Sequence, residues 1–407
     1  MLMLVAFTMP AQQRLVDEVK KSISDLTANA ETYKKAREKL KPALKDSTSK
    51  GKAETWWVAT KVEWGYYDKL LTSKSLGKKP DSLEMGNALL AGYDHSIKAL
   101  SLDTTWLINR DGTPKIDKKT GQKRYKTKFS ANIVSRTAHY IESMNRAGSD
   151  FYNSSKWAEA YKAFDIYNRL ATDPTYSKLK RSEPDSVIGQ VLFYQGLAAF
   201  QLKRYDDAHR LMAKARTLGY NKKEVFDSDI NALVLAHDTS SMVQVAHEAY
   251  KHYGNHDIQY IRILINDLVK HQNYRDAEVM LDQAILSDST NAEYYDLKGN
   301  IVEFEADYTQ ARPYYLHATK IDTTFAQGYF DAGRTYYLEA LDYKKINPKA
   351  TGRKYAKTVA ALYQQAMVHL ERAHALTPED ERVNSILRDI YYKLGYGDKL
   401  VILERGI

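Results

Sequence analysis

The chain has 407 residues, 27% charged and 43% hydrophobic, a balance that excludes a disordered chain unable to bury a core. Its 60 Lys and Arg against 51 Asp and Glu give a formal charge of +9, which favours acidic partners but says nothing of fold. With no cysteine, the sequence excludes disulfides, a thiol nucleophile, thiolate metal ligation and a lipid anchor on cysteine, and leaves the compartment open.

Residues 1–11, MLMLVAFTMPA, are nearly all apolar, and the composition turns polar at Gln12. The run is too short to span a bilayer. It resembles the apolar part of a secretory signal peptide ending at Ala11, although the usual positive charge at its start is missing. Two readings stand: a leader for export to the periplasm or cell envelope, or an apolar first turn docked on the next helix of a cytoplasmic protein. Two helices are predicted from Gln13 to Lys45, broken near Thr27 to Asn29, with Asn29 capping the second. A helix follows from Ala53 to Leu71, carrying Trp56, Trp57 and Trp64; another runs from about Pro80 to Leu102.

Asp103 to Ser130 breaks the helical pattern. Asp111-Gly112 and Thr120-Gly121 are turn signals between short alternating pieces, which predicts a hairpin-like or irregular insert. Arg110, Lys115, Lys118, Lys119, Lys123, Arg124, Lys126 and Lys128 face only Asp111 and Asp117, so residues 109–128 carry a net charge of +6. Such a run is either a solvated linker or a contact for a polyanion or membrane surface.

From Asn132 onward small and large residues recur in one register. Gly148, Phe151, Ala160, Phe164 and Tyr167 correspond to Gly196, Ala199, Ala208, Met212 and Ala215. They correspond again to Gly299, Val302, Ala311, Tyr315 and Ala318. Ile265, Gly299 and Gly333 stand 34 residues apart. A fixed period of that length predicts a solenoid of helical hairpins. Between these units lie a basic, proline-containing loop from Thr172 to Asp185 and a degenerate hairpin near Asp227 to Tyr253. The second helix of the unit opening at Ala326, with Ala366, Leu370 and Ala373, arrives 21 residues late; the polar stretch Asp342 to Thr358 is the excess. Asp380 to Leu394 reads as a terminal capping helix. The 31 tyrosines are expected mostly between helices, with the hydroxyl reaching a rim.

This register resembles the tetratricopeptide repeat, and the chain as a whole resembles exported or periplasmic bacterial repeat proteins. The departures are Ile265 where a small residue is usual, the degenerate unit, and the two inserts. The fold class is therefore expected to be all-α, a right-handed α-solenoid of tetratricopeptide-like hairpins with one irregular basic insert. Its expected organisation is 1–11 leader, 12–102 N-terminal hairpins, 103–130 insert and 131–407 solenoid with cap.

The resemblance implies that a protein or peptide segment is bound in a groove lined by the first helix of each repeat. Carried onto this sequence, groove positions are Arg262 and Asn266, then Asp296 and Asn300, then Phe330, Arg334 and Tyr337. Glu293, Glu303 and Gln327 lie at neighbouring steps; upstream the corresponding positions include Asn145, Tyr152, Phe193 and Phe200. Asn266 and Asn300 are equivalent and could hold an extended backbone, since an amide offers both a donor and an acceptor. Arg262 and Arg334 could meet a carboxylate or phosphate. The competing reading is an ordinary solvated polar face.

No phosphate-cradling glycine loop, HExxH or nucleophile elbow is present. His247, His252 and His256 cluster, but Gly254 interrupts the helix between them, so scattered histidines are the simpler reading than a metal site. The sequence thus points to a non-enzymatic interaction scaffold without catalytic residues, cofactor or metal. Its expected partner is a protein or peptide rather than nucleic acid. The alternative is a polyanion or envelope-surface binder acting through 109–128.

Overall fold

The computed structural model describes residues 11–177, 184–254, 257–304 and 308–405. The apolar start at 1–10, part of the basic stretch at 178–183, and His256 lie outside these. The chain divides into two compact units, Met1–Asp238 and Thr239–Ile407.

The first unit is built from helical hairpins. α1 (Ala11–Ile23) and α2 (Ala30–Lys45) come first, with Asn29 capping α2: its side chain accepts from Thr32 N while the Thr32 hydroxyl accepts from Asn29 N. α3 (Ala53–Ser75) pairs with α4 (Ser82–Leu102). α4 starts two residues later than Pro80 because Asp81 caps it, its carboxylate accepting from Leu83 N at 2.8 Å. Strands β1 (Thr105–Trp106) and β2 (Tyr125–Lys126) then form an antiparallel hairpin, followed by α5 (Ser130–His139). The hairpins α6 (Ile141–Asn153) with α7 (Trp157–Thr172), and α9 (Asp185–Gln201) with α10 (Tyr205–Thr217), follow. The short α8 (Pro174–Ser177) lies between them, and α11 (Lys223–Leu235) closes the unit. α4 packs directly on α6, so the hairpin stack passes beneath the insert without a break.

Asp103 makes that possible. It is buried at the neck of the insert and accepts from the backbone N–H groups of Lys128, Phe129 and Ser130 and from the Ser130 hydroxyl, the last three at 2.7 Å. Burial opposes its ionisation, but these donors outweigh it and hold its carboxyl below the ordinary range. Both ends of the excursion are thereby tied to the start of α5.

The second unit opens with α12 (Thr239–Tyr253), so the two helices of the predicted degenerate hairpin, α11 and α12, fall in different units. Then come α13 (Ile258–Lys270) with α14 (Tyr274–Ser287), α15 (Ala292–Phe304) with α16 (Tyr308–Ile321), and α17 (Ala326–Ile346) with α18 (Gly352–Leu376). The excess at Asp342 to Thr358 is absorbed by lengthening both helices of that hairpin, with Tyr343 packed against Tyr355 at 5.9 Å. Within it only 347–351 turn. α19 (Glu381–Leu394) is not terminal: Gly395, at φ 75°, ends it, and α20 (Gly397–Arg405) folds back on it.

The register read from sequence is the packing code. Ala160, Ala208, Ala277, Ala311 and Ala366 are fully buried, as are Ala215, Ala284, Ala318 and Ala373. Between them Phe164, Met212, Leu281, Tyr315 and Leu370 fill the hairpins. Phe164, Tyr315 and Leu370 face their first helix where no side chain can stand. A Cβ on Gly148 would meet the Phe164 ring at 2.5 Å, one on Gly299 the Tyr315 ring at 2.6 Å, and one on Gly333 Leu370 at 2.7 Å. The connecting turns share a conformation too. Ser155, Lys203, His237 and Gln272 all have φ near 58°, and the next residue's N–H returns to a carbonyl five back, as from Asn273 to Leu268 at 2.8 Å.

Two outcomes follow. Gly148→Ala is expected to lower stability by about 1–3 kcal/mol through overpacking, despite alanine's better helix propensity. Gly397→Ala, with nothing within 4 Å of the added Cβ, should be neutral or mildly stabilising. Gln272→Gly should raise stability by roughly 1 kcal/mol, because glycine adopts that left-handed backbone without strain. Urea denaturation of the three variants checks both; a neutral Gly148→Ala would count against tight approach as the determinant.

Candidate functional site

The first helices of the second unit, α13, α15, α17 and α19, touch one another in series; no comparable contact joins the second helices α14, α16 and α18. Elements on the inner side of a curved stack lie closer together, so the first helices line its inner face. The seven predicted groove residues all lie on α13, α15 and α17.

Arg262 and Asn266 are exposed, whereas the other five are buried or half-buried. Arg262 on α13 is paired with Glu293 on α15. Asn300 accepts from the Tyr315 hydroxyl at 2.9 Å, and the same hydroxyl reaches Glu303 at 2.8 Å. Glu303 in turn receives both arms of Arg334 on α17, at 2.5 and 2.9 Å. Arg334 also donates to Asp331 at 2.8 Å, and Gln327 donates to the other oxygen of Asp331 at 2.6 Å. Arg382, at the start of α19, donates to Gln327 at 3.2 Å and lies 4.8 Å above the Phe330 ring. Tyr337 donates to Asp389 of α19 at 2.8 Å, and Lys393 holds the same carboxylate. One polar network therefore runs across the inner faces of α15, α17 and α19.

Three expectations change. Phe330 does not stand open on the groove: it is buried in the core beneath Arg382 and Arg334. Asn266 and Asn300 are not a matched pair, since Asn266 is exposed while Asn300 is half-buried with its oxygen taken by Tyr315. The guanidinium groups of Arg262 and Arg334 already have carboxylate partners, so a ligand's acid would compete with Glu293, Glu303 or Asp331. In the first unit Phe193 is likewise buried, within an aromatic run in which Tyr194 meets Tyr152 at 5.9 Å and Phe193 meets Tyr220 at 5.9 Å.

Asp296 is the anomaly. It is 5% exposed, and among the described residues it carries the one buried carboxylate oxygen without a hydrogen-bond partner. Burial, then the nearby charges of Asp331 and Glu293, push its carboxyl up to about 8, against the pull of Arg334 and Arg262. Burial also raises Asp331, although Arg334 and Gln327 oppose the shift. The shift favours the neutral acid of Asp296, a form able to donate one hydrogen bond and accept others. Asn300, one turn further along α15, keeps its amide nitrogen clear of the Tyr315 bond. Asp331 was missed by spacing alone. Its signal was a lone acid amid the buried run Gly328, Phe330, Ala332 and Gly333.

Among the described residues no group of His, Asp or Glu is placed to hold a metal ion, and His247 and His252 are exposed. Among the same residues no helix is long and apolar enough to cross a membrane.

No protein-family model and no curated protein matches the chain. Among solved structures, a TPR-repeat protein of Bacteroides fragilis is 16% identical, covers 62% of this chain and 98% of its own, and overlays with a TM-score of 0.30. A tetratricopeptide repeat protein of Parabacteroides merdae is 11% identical, covering 62% of this chain and 99% of its own at a TM-score of 0.39. Yeast Tom70 is 12% identical, covering 97% of this chain and 91% of its own at 0.39. The tetratricopeptide-type fold of the present chain is carried by its own hairpin register.

Asp296 makes a pH prediction. Its folded form keeps a proton to about pH 8, whereas the unfolded chain releases it near the ordinary 3.8. Between those values the native state binds the extra proton, so its contribution to stability falls as pH rises. Asp296→Asn should remove that slope and gain on the wild type progressively from pH 5 to pH 9. Urea midpoints at pH 5, 7 and 9 measure it; curves that fall in parallel would show that Asp296 ionises normally.

Proposed function

We propose that this chain is a non-enzymatic interaction scaffold that binds an extended protein or peptide segment along the first-helix face of its second unit. The observation that carries this reading is Asp296. A buried carboxyl pushed toward its neutral form, with one oxygen unmatched, opposes folding, and groups of that kind concentrate where a protein meets a ligand. The neutral acid of Asp296 and the amide of Asn300 suit the carbonyl groups of an extended backbone. Exposed Asn266 and Arg262 lie one repeat away to continue the track. The apolar run at 1–11 supports export to the periplasm or cell envelope as the setting.

The test is photo-crosslinking with capture. A photoreactive phenylalanine analogue replaces Asn266 in the full chain, which is incubated with envelope extract at low and high salt. A defined polypeptide should crosslink at both, and its yield should fall at least about tenfold when Asp296 and Asn300 are both changed to Ala, the loss of two buried hydrogen bonds. Crosslinking that vanishes with salt, or that ignores the double substitution, would overturn the reading.

A further inference from the structure

The insert between α4 and α5 has two sides that its charge alone does not reveal. Trp106 stands opposite Tyr125 in the β1–β2 ladder; beyond it Ile108 stands opposite Pro114, and Ile116 opposite Lys123. Paired residues project to the same side of a ladder, and so do residues two apart along a strand. Trp106, Ile108, Pro114, Ile116, Lys123 and Tyr125 therefore share one side. The alternate positions, among them Lys115, Arg124 and Lys126, take the other. Arg110, Lys118 and Lys119 occupy the two turns, where Asn109 N bonds Thr113 O at 2.8 Å and Asp117 N bonds Gln122 O at 2.8 Å.

This apolar side is uncovered. Trp106 is 55% exposed, Ile108 62%, Ile116 50% and Tyr125 58%, and none belongs to a core cluster. Four large hydrophobic side chains grouped on one side of a small element mark an interaction surface rather than incidental exposure. The Asp103 clasp shows that the element is held in place rather than trailing.

We infer that this hairpin docks peripherally on an anionic lipid bilayer, its apolar side entering the headgroup region and its basic residues meeting lipid phosphates at the rim. Tryptophan and tyrosine are the side chains that partition to that boundary, and the net +6 of residues 109–128 complements an anionic leaflet. The other side chains argue for lipid over nucleic acid. Ile108, Pro114 and Ile116 neither stack on bases nor hydrogen-bond to them. Trp106 and Tyr125 meet edge-on at 75° and 5.7 Å, not as the parallel platforms that bases stack on.

The test is flotation of the full chain with phosphatidylcholine vesicles, with and without about 30% phosphatidylglycerol, at low salt. Binding should be at least about tenfold tighter to the anionic vesicles. Brominated lipid should quench a blue-shifted emission that disappears in Trp106→Phe. Lys118→Gln/Lys119→Gln/Lys123→Gln should weaken binding by about a hundredfold, and Ile108→Ser/Ile116→Ser by about tenfold. All these positions are exposed, and unchanged helical circular dichroism would confirm that the variants fold. No flotation would overturn the inference, and so would flotation indifferent to the isoleucine substitutions, which would reduce the surface to a general polyanion contact. Equal quenching-competent binding of a polyglutamate peptide or a single-stranded oligonucleotide would assign it to another class of partner.

Discussion

In the hairpins that carry the register most clearly, a large side chain on the second helix occupies the space in which the first helix has none. Phe164 lies on Gly148, Tyr315 on Gly299 and Leu370 on Gly333, at distances that leave no room for a methyl group. Small residues at these points bring the two helix axes together, and the large residue then fills the hairpin with few voids. The α13–α14 hairpin does without the glycine: Ile265 stands at that place and packs with Ala277 and Leu281. The period is thus imposed by close approach, and the turn geometry follows it, since Lys203, His237 and Gln272 recur 34 and 35 residues apart in the same left-handed backbone.

That packing rule also builds the inner face. Because Gly299 lets the Tyr315 ring lie deep, the hydroxyl at its end emerges between Asn300 and Glu303 on the first helix. Burial and the Glu303 carboxylate raise the phenol, so it stays a donor. It orients Glu303 to receive Arg334, and Arg334 gathers Asp331. Tyrosine–carboxylate contacts of this kind recur: Tyr66 with Glu84, Tyr140 with Asp68, Tyr337 with Asp389 and Tyr391 with Glu371, all within 3.0 Å. At these five positions a tyrosine fills space with its ring and ties down a neighbour with its hydroxyl.

The small-and-large register was legible in the sequence because it is set by local spacing and by side-chain size, and every alanine named in it is buried. Other features depend on partners far along the chain. Nothing near Asp296 in sequence signals that Asp331, a repeat away, will stand close enough to raise its carboxyl. The burial of Phe330 beneath Arg382 has the same cause, a residue 52 positions on. α20 was missed because Asp380 to Leu394 read as the terminal helix, whereas Gly395 only turns the chain. The two sides of the insert were hidden because its strands are two residues long, too short for alternation to stand out until pairing aligns them.

Other carboxylates in this molecule show how buried acids are handled when stability alone is served. Asp229 takes His209 at 2.8 Å and Arg216 at 2.6 Å; Glu63 takes both arms of Arg37; Asp103 takes four donors. In each case the desolvation cost is offset by charge-assisted hydrogen bonds. Asp296 departs from that practice while lying within reach of the influence of Arg334 and Arg262. An apolar residue of its size would serve the stack better at that place, since nothing in the hairpin packing calls for an acid between Tyr294 and Leu297. Its raised carboxyl, its unmatched oxygen and a second acid as neighbour set it apart from Asp229, Glu63 and Asp103, each of which is matched by donors.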